Sequence, residues 1–234
     1  MTEQTPQSPP EQAPEIIIKA VARKNALFLT VLGSAGLLLC GLLANFWWVE
    51  LRLVLVLLVL VSFLVMLVGI FKYFEPHDSF VLTPCVLQHF HRYGSWQVDW
   101  QNIQIISQPR VTQGIESKEL NYIGIKLADP DLLSQAISRR LANRLLHEQR
   151  DLHVLSCQLA QVSVFEGLLN DSPYKTAQGK KIIGPVAAWL HRTKQLRASF
   201  GYDLYIPLNA CDRPPHEFIG LLKQCKEASV GYHD

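Results

Sequence analysis

The chain has 234 residues, with 22 Lys and Arg against 20 Asp and Glu, and 49% of its residues are hydrophobic. This near-neutral, apolar composition excludes a disordered chain, a collagen-like fibre and a strongly basic nucleic-acid binder. The apolar residues are unevenly distributed, because residues 26–49 and residues 53–71 contain no charged side chain. Uncharged stretches of this length also exclude a purely soluble protein.

These two stretches predict two transmembrane helices. The first has 24 residues and the second 19, equivalent to about 36 Å and about 28 Å of helix, against a hydrocarbon core of about 30 Å. A cleavable signal peptide is disfavoured because its apolar core would lie closer to the N-terminus. Only residues 50–52 separate the spans. We therefore expect an antiparallel hairpin, with residues 19–74 as the membrane unit.

Basic residues flank the outer ends of both spans, whereas the connecting turn contains a single base, Arg52. By the positive-inside rule, this bias predicts that both termini lie in the cytoplasm. Two tryptophans at the turn suit the headgroup level of the bilayer. The residues expected at the membrane interface are Arg23, Lys24, Trp47, Trp48 and Lys72.

The first span carries small residues at spacings of three and four, namely Gly33, Gly36, Cys40 and Ala44. Small residues on one helical face allow two helix backbones to approach closely. Either this face packs against the second span of the same chain, or it joins two copies in a homo-oligomer. Neither span contains an ionisable residue, which argues against a proton relay or an ion pathway.

Outside the membrane, the sequence predicts a tail and a folded domain. Residues 1–18 are expected to form a flexible tail, because most of them are polar or proline and bury little surface. In residues 75–234, apolar residues first alternate with polar ones, which predicts an antiparallel meander of about five short strands. This alternation is clearest at residues 96–100 and 122–127.

The second half of this domain is mainly helical in pattern. The period becomes helical at Asp131, a strand-like piece follows at Val154–Val164, and Pro185 is well suited to begin another helix. A late strand at Tyr202–Pro207 precedes a final helix that Asp212 can cap. The predicted fold class is therefore α+β.

Three strand motifs follow the hairpin in the order SWQVDWQNI, NYIGIKL and GYDLYIP, and the last leads into a C-terminal helix. This order resembles small bacterial membrane proteins in which a pleckstrin-homology-like (PH-like) domain comes directly after two transmembrane helices. Trp100 stands three residues before Ile103, as at a strand junction of those proteins. The segments beginning GIKLADPDLL and FGYDLYIPLN also resemble an uncharacterised gammaproteobacterial inner-membrane family of unknown function.

The resemblance implies a small antiparallel PH-like β-domain whose open end is closed by the C-terminal helix. In this chain, residues 128–197 separate two of the expected strands, and we interpret them as a largely helical insertion. The alternative is a second small domain made of residues 131–234.

No motif for catalysis or for a cofactor emerges. Gly179-Lys180 lacks the other residues of a phosphate-binding loop. His89 and His91 share one face of a strand without a third ligand nearby, which favours an exposed strand face over a metal site. Asp203 is expected to face outward from its strand. The five cysteines are scattered without a Cys-x-x-Cys pair, which indicates buried, reduced thiols.

The best functional lead is a local excess of bases. Between Asp171 and Asp203 there is no acidic residue, and Trp189 lies within the same segment. A basic amphipathic helix with a Trp is typical of contact with an anionic membrane surface or an acidic partner. The alternative is a solvated helix face whose Trp packs into the core. The residues expected to bind lipid or a partner are Lys175, Lys180, Lys181, Trp189, Arg192, Lys194 and Arg197.

These patterns favour a non-enzymatic, membrane-anchored binding or adaptor module that contacts anionic lipid or a protein partner. The alternative is a membrane enzyme that acts on a lipid or envelope precursor through residues assembled only in three dimensions. Besides the bilayer, a membrane-protein partner or a second copy of the chain is expected. No cofactor or metal is expected. Nucleic acid is not expected either, because bases and acids nearly balance in the soluble part.

Overall fold

The computed structural model describes residues 15–19, 25–74, 78–113, 116–161 and 172–230. It confirms a mixed α+β structure, with one long apolar helix near the N-terminus and several small antiparallel sheets. The strands are β1 (Ile16–Lys19), β2 (Asp78–Leu82), β3 (Val86–His91), β4 (Gly94–Asp99), β5 (Ile103–Ser107), β6 (Arg110–Gln113), β7 (Glu116–Glu119), β8 (Tyr122–Leu127), β9 (Tyr174–Lys175), β10 (Lys181–Ile182) and β11 (Leu204–Pro207). The helices are α1 (Ala26–Tyr73), α2 (Leu133–Ala136), α3 (Arg139–Glu148), α4 (Arg150–Ala160), α5 (Pro185–Phe200) and α6 (Pro215–Val230).

Helix α1 contains both uncharged stretches and is long and apolar enough to cross a membrane. Its backbone leaves helical geometry at Trp47 (φ −125°, ψ 24°) and Leu51 (φ −116°, ψ 19°). A Cβ atom at Gly33 would lie 2.5 Å from the backbone nitrogen of Met66, whereas a straight helix would separate these residues by about 50 Å. Gly33 in the first half of α1 is therefore in contact with Met66 in the second half.

The small residues of the first half line part of this contact. Gly33 and Cys40 are buried, and a Cβ atom at Gly36 would lie 2.5 Å from Ser62 Oγ. Ala44 is half-buried, whereas a Cβ atom at Gly41 would meet nothing within 4 Å. Contact within one chain thus accounts for Gly33 and Gly36, and association of two copies stays a prediction.

Strand β1 lies before α1 in sequence but pairs with β2, which follows α1. The antiparallel register matches Ile18 with Phe80 and Lys19 with Asp78, and Ile18 is buried. The predicted flexible tail is therefore wrong for residues 16–18, and residues 1–14 lie outside the described residues. The proline-rich segment ends just before Glu15. The run of isoleucines that follows has high β-propensity, and one of them fills a core position.

Two antiparallel sheets form the centre of the domain. One has the strand order β1-β2-β3-β4, and the other has the order β11-β8-β5. The turn between β4 and β5 buries Trp100, whose Nε1 donates a hydrogen bond to the carbonyl oxygen of Thr83 (2.8 Å). Helix α6 buries Phe218, whose ring packs edge-to-face on Phe80 with centroids 5.2 Å apart. The hydrophobic core thus lies between the sheets and α6.

The four-stranded sheet has two distinguishable ends. Lys19 pairs with Asp78, His91 pairs with Gly94, and the register of β2 with β3 places these four residues together. We call this the near end, because the chain enters and leaves α1 there. The opposite end, which contains Asp99, is the far end.

Between β8 and β11, the described residues contain helices α2 to α5 and the short strands β9 and β10. The predicted strand-like piece at Val154–Val164 is wrong, because Arg150–Ala160 is helical and buries residues at helical spacing; residues 162–164 lie outside the described part. The final helix begins at Pro215, and Asp212 instead pairs with Arg213 (Oδ1 to Nε, 2.9 Å). The Asp212 carboxylate, which was expected to cap the helix, is therefore paired with the neighbouring Arg213.

We predict that Gly33→Val destabilises the full chain in detergent. The new side chain meets the backbone of Met66, which cannot rotate away, and overpacking of this kind costs about 1–3 kcal/mol. The measurement is the free energy of unfolding, or the melting temperature, by circular dichroism. Gly41→Val is the matched control, since no atom lies near its Cβ position. Equal losses in both variants would contradict the side-by-side contact.

Candidate functional site

The residues of the predicted basic segment divide into an inward and an outward group. Trp189 and Arg192 are only 1% and 5% exposed, and Arg192 Nη1 donates to the carbonyl oxygen of Leu146. Helix α5 is covered by α3 and α4, so its Trp packs into the core, as the alternative interpretation held. The direction of a basic side chain depends on neighbours far away in sequence, which a local charge count does not show.

The exposed bases cluster around the β9–β10 hairpin. Lys175 and Lys181 are direct cross-strand neighbours, and Lys180 and Lys194 are also exposed. Like charges directly opposite each other destabilise a strand pair. An anion bound between the two lysines offsets their repulsion. This hairpin is therefore suited to contact with an acidic surface. We call Lys175, Lys180, Lys181 and Lys194 the lysine cluster.

Asp131 holds this hairpin in place. Its carboxylate accepts a hydrogen bond from Tyr174 Oη (2.7 Å) and another from the backbone N–H of Ala177 (2.6 Å). Burial and this hydrogen bond raise the pKa of Tyr174 to about 12, so it is a neutral donor at physiological pH. The lysines around it are therefore displayed on a fixed scaffold.

The hairpin lies at the far end of the four-stranded sheet. The backbone N–H of Asp129 donates to Asn102 Oδ1 (2.7 Å), and Asn102 follows Asp99, the last residue of β4. Asp131 lies two residues after Asp129 and is hydrogen-bonded to the hairpin. The hairpin is therefore held beside the far end. The length of β4 separates the two ends by about 17 Å.

A small cavity of about 290 Å³ opens beside the hairpin. Its deepest charged group is Asp203, which is 2% exposed and whose oxygens both lie 3.0 Å from Arg197 Nη1. Asp203 Oδ2 also accepts a hydrogen bond from the backbone N–H of Leu127 (2.8 Å). The residues lining the cavity are Pro130, Tyr174, Leu190, Thr193, Lys194, Arg197 and Asp203.

The expectation that Asp203 faces outward is wrong. Burial raises its pKa, against the opposing effects of the Leu127 N–H and the Arg197 guanidinium. Both carboxylate oxygens are engaged by these groups, so the pair fastens the end of α5 to β8. A basic residue six positions before a carboxylate, with a helix-ending glycine between them, could have indicated this pairing, because Gly201 (φ 86°) turns the chain back sharply.

His89 is buried, whereas the sequence favoured an exposed strand face. Its ring is buried between Phe80 and Trp96, with centroid distances of 4.6 and 5.2 Å. Burial, reinforced by the charge of His91, lowers the pKa of His89 to about 3, so it is neutral. Within the described ranges, no group of three His, Cys, Asp or Glu side chains is arranged to hold a metal ion. Of the five cysteines, Cys85 is exposed, contrary to the expectation of burial.

The model of one protein family matches residues 80–228, which is more than half of the chain. The chain belongs to that family, described as a protein of unknown function (DUF2982). The match extends from β2 into α6, so this DUF2982 chain carries β1 and α1 outside the matched part. Comparison with curated proteins and with solved structures gave no match. The predicted membership of a family of unknown function is confirmed.

We predict that Asp203→Asn destabilises the chain by about 2 kcal/mol, because the buried Leu127 N–H and Arg197 lose a charged acceptor. The measurement is the free energy of unfolding in denaturant. The matched control is Asp212→Asn, which breaks a half-exposed pair with Arg213 and is expected to cost less than about 1 kcal/mol. If both variants lose the same stability, Asp203 does not fasten α5 to β8.

Proposed function

We propose that this DUF2982 chain is a membrane-anchored, non-enzymatic binding module. Two transmembrane spans within α1 hold its α+β domain at the cytoplasmic face of the inner membrane. The lysine cluster at the far end of the domain binds an acidic protein partner. The observation that carries the proposal is the pairing of β1 with β2.

This pairing restricts how α1 crosses a membrane. Lys19 and Asp78 lie on either side of α1 and are cross-strand partners, so their Cα atoms are about 5 Å apart. A single straight helix of 48 residues would instead separate its ends by about 72 Å. Both ends therefore lie on the same side of any membrane that α1 enters, which supports two spans rather than one.

The exposure of α1 supports a lipid environment. Only 11% of its most apolar window is buried within the protein, and Val49 is 88% exposed. The core helix of a soluble domain would be covered by its own protein. A continuous apolar surface of this length is unfavourable in water, at about 25 cal/mol per Å².

The flanking residues support the proposed orientation. Lys19 and Lys72 lie on the domain side of α1, whereas the bend carries Arg52 as its base. Trp47 and Trp48 are both exposed at this bend, where indole rings suit the headgroup region. Arg23 and Lys24 lie outside the described residues, so their expected interface positions stay predictions.

The arrangement of strands supports a PH-like architecture for the domain. A four-stranded and a three-stranded antiparallel sheet share one core, and α6 inserts Phe218 and Leu222 into it. In the resembling proteins the domain follows the membrane hairpin. Here the first strand precedes it, so the hairpin is placed between two neighbouring strands of the domain.

Position favours a protein partner over lipid for the lysine cluster. The far end is separated from the near end by about 17 Å of β4, and charges interact weakly beyond a Debye length of about 8 Å. Ile183, which follows the hairpin, is 76% exposed. An apolar side chain beside exposed bases suits the centre and rim of a protein interface. Association with a second copy and an enzymatic role stay predictions.

We predict that an impermeant maleimide labels Glu50→Cys only from the periplasmic side of the membrane. Native Cys85 is exposed in the domain and is the internal control, labelled only from the cytoplasmic side. The measurement compares whole cells with inverted membrane vesicles. Labelling of both cysteines from the same side would contradict the two-span arrangement, because Glu50 lies at the bend of α1.

We predict that a photo-crosslinker placed at Gln178, at the tip of the β9–β10 hairpin, forms an adduct with a distinct protein in native membranes. Combined replacement of Lys175, Lys180 and Lys181 by Gln is expected to lower its yield at least about fivefold, since three charge contacts are lost. Adducts are quantified by immunoblotting and mass spectrometry. Adducts with lipid alone, or a yield unaffected by the lysine changes, would contradict the proposed surface.

A further inference from the structure

We propose that a second basic surface, at the near end of the sheet, binds the phosphate groups of anionic phospholipids. This surface consists of Arg92, Arg139 and Arg140, and we call it the arginine face. It rests on the proposed membrane anchoring but is independent of the lysine cluster.

The register of the sheet places Arg92 at the near end. His91 pairs with Gly94, so Arg92 and Tyr93 form the turn between β3 and β4. This turn projects from the end of the sheet at which Lys19 and Asp78 lead towards α1. The turn and the membrane helix therefore lie on the same side of the domain.

The two arginines of α3 lie beside this turn. Ser138 precedes α3, and its backbone N–H donates to the carbonyl oxygen of Ser95 (3.3 Å). Its Oγ also contacts the carbonyl oxygen of Tyr93 (3.4 Å) and accepts a hydrogen bond from the N–H of Leu141. Helix α3 therefore begins at the near end, with Arg139 and Arg140 in its first turn.

Chain length limits the distance between the arginine face and the bilayer. Four residue steps separate Phe74, at the end of α1, from Asp78, and they span at most about 14 Å. The turn between β3 and β4 lies two strand spacings from Asp78, or about 10 Å. The arginine face therefore lies within about 25 Å of the end of the helix, and long arginine side chains shorten the remaining gap.

Among the described side chains, the charges of the arginine face have no acidic partner. All three side chains belong to exposed residues, and no carboxylate in the described part of the chain lies within 4.0 Å of them. The nearby Glu148 is instead held by Arg144 (2.7 Å) and His91 (3.6 Å). Two bases in the first turn of a helix oppose its dipole, so Arg139 and Arg140 do not stabilise α3.

The chemistry of this surface matches a phospholipid headgroup. Guanidinium groups bind phosphate oxygens in a bidentate manner. Tyr93 is 40% exposed, and the centroid of its ring lies 5.9 Å from the guanidinium carbon of Arg92. An amphipathic aromatic ring beside bases is typical of the membrane interface. The headgroups are also the anions nearest to this end of the domain.

The test measures which lipids co-purify with the full chain. The protein is extracted in mild detergent containing equal amounts of phosphatidylglycerol and phosphatidylcholine, and bound lipids are quantified by mass spectrometry. The wild-type chain is expected to enrich phosphatidylglycerol. Combined Arg92→Gln, Arg139→Gln and Arg140→Gln is expected to lower this enrichment at least about fivefold. The matched control, Lys175→Gln, Lys180→Gln and Lys181→Gln, removes three charges at the far end and is expected to leave it unchanged.

A combined Arg→Lys replacement at the same three positions separates charge from folding, because it keeps the charges but not the bidentate geometry and is expected to restore part of the enrichment. The inference is overturned if the Gln variant of the arginine face enriches phosphatidylglycerol as the wild type does, or if both Gln variants lose it equally. If the wild type shows no enrichment while the labelling at Glu50 shows two spans, only the arginine face is refuted. If Glu50→Cys and Cys85 are labelled from the same side, the proposed anchoring fails as well.

Discussion

The antiparallel pairing of β1 with β2 is the constraint on which the rest of the molecule depends. It joins residues from both sides of α1 into one ladder, with Ile18 buried against the core. Since the ends of α1 must meet at this ladder, the apolar segment has to double back, and the contact of Gly33 with Met66 shows where its halves touch. The same pairing defines which end of the sheet faces α1.

Relative to the near end, the basic residues discussed above lie in two separate groups. Arg139 and Arg140 begin α3 at the near end, whereas the lysine cluster lies at the far end, held by Asp131. A net charge of +2 therefore conceals two basic surfaces, one at each end of the four-stranded sheet. The buried pair of Arg197 and Asp203 belongs to the architecture of the domain, because both carboxylate oxygens are already engaged. In the proposed function, anchoring and recognition operate at opposite ends of the four-stranded sheet.

Local patterns in the sequence predict what depends on local physics. The uncharged stretches indicate the apolar segment, and period-two alternation indicates β4, β8 and β11, because the apolar residues that lie two apart in each strand face the same core. They do not predict pairings between distant residues. Arg192 reaches a carbonyl oxygen 46 residues away, and β1 finds its partner across the whole of α1. For the same reason the bases of α3 were visible in the sequence, but their position at the near end required the register of the sheet.

The position of β1 also has a consequence for how the domain is made. During synthesis β1 leaves the ribosome before α1, and β2 follows only after the apolar segment. Until the two ends of α1 come together, the edge of β2 is unpaired and open to pairing with other chains. A fragment that begins after α1 keeps this open edge permanently. A soluble form of the domain therefore requires β1, joined to β2 by a short turn in place of residues 20–77, because Lys19 and Asp78 already face each other.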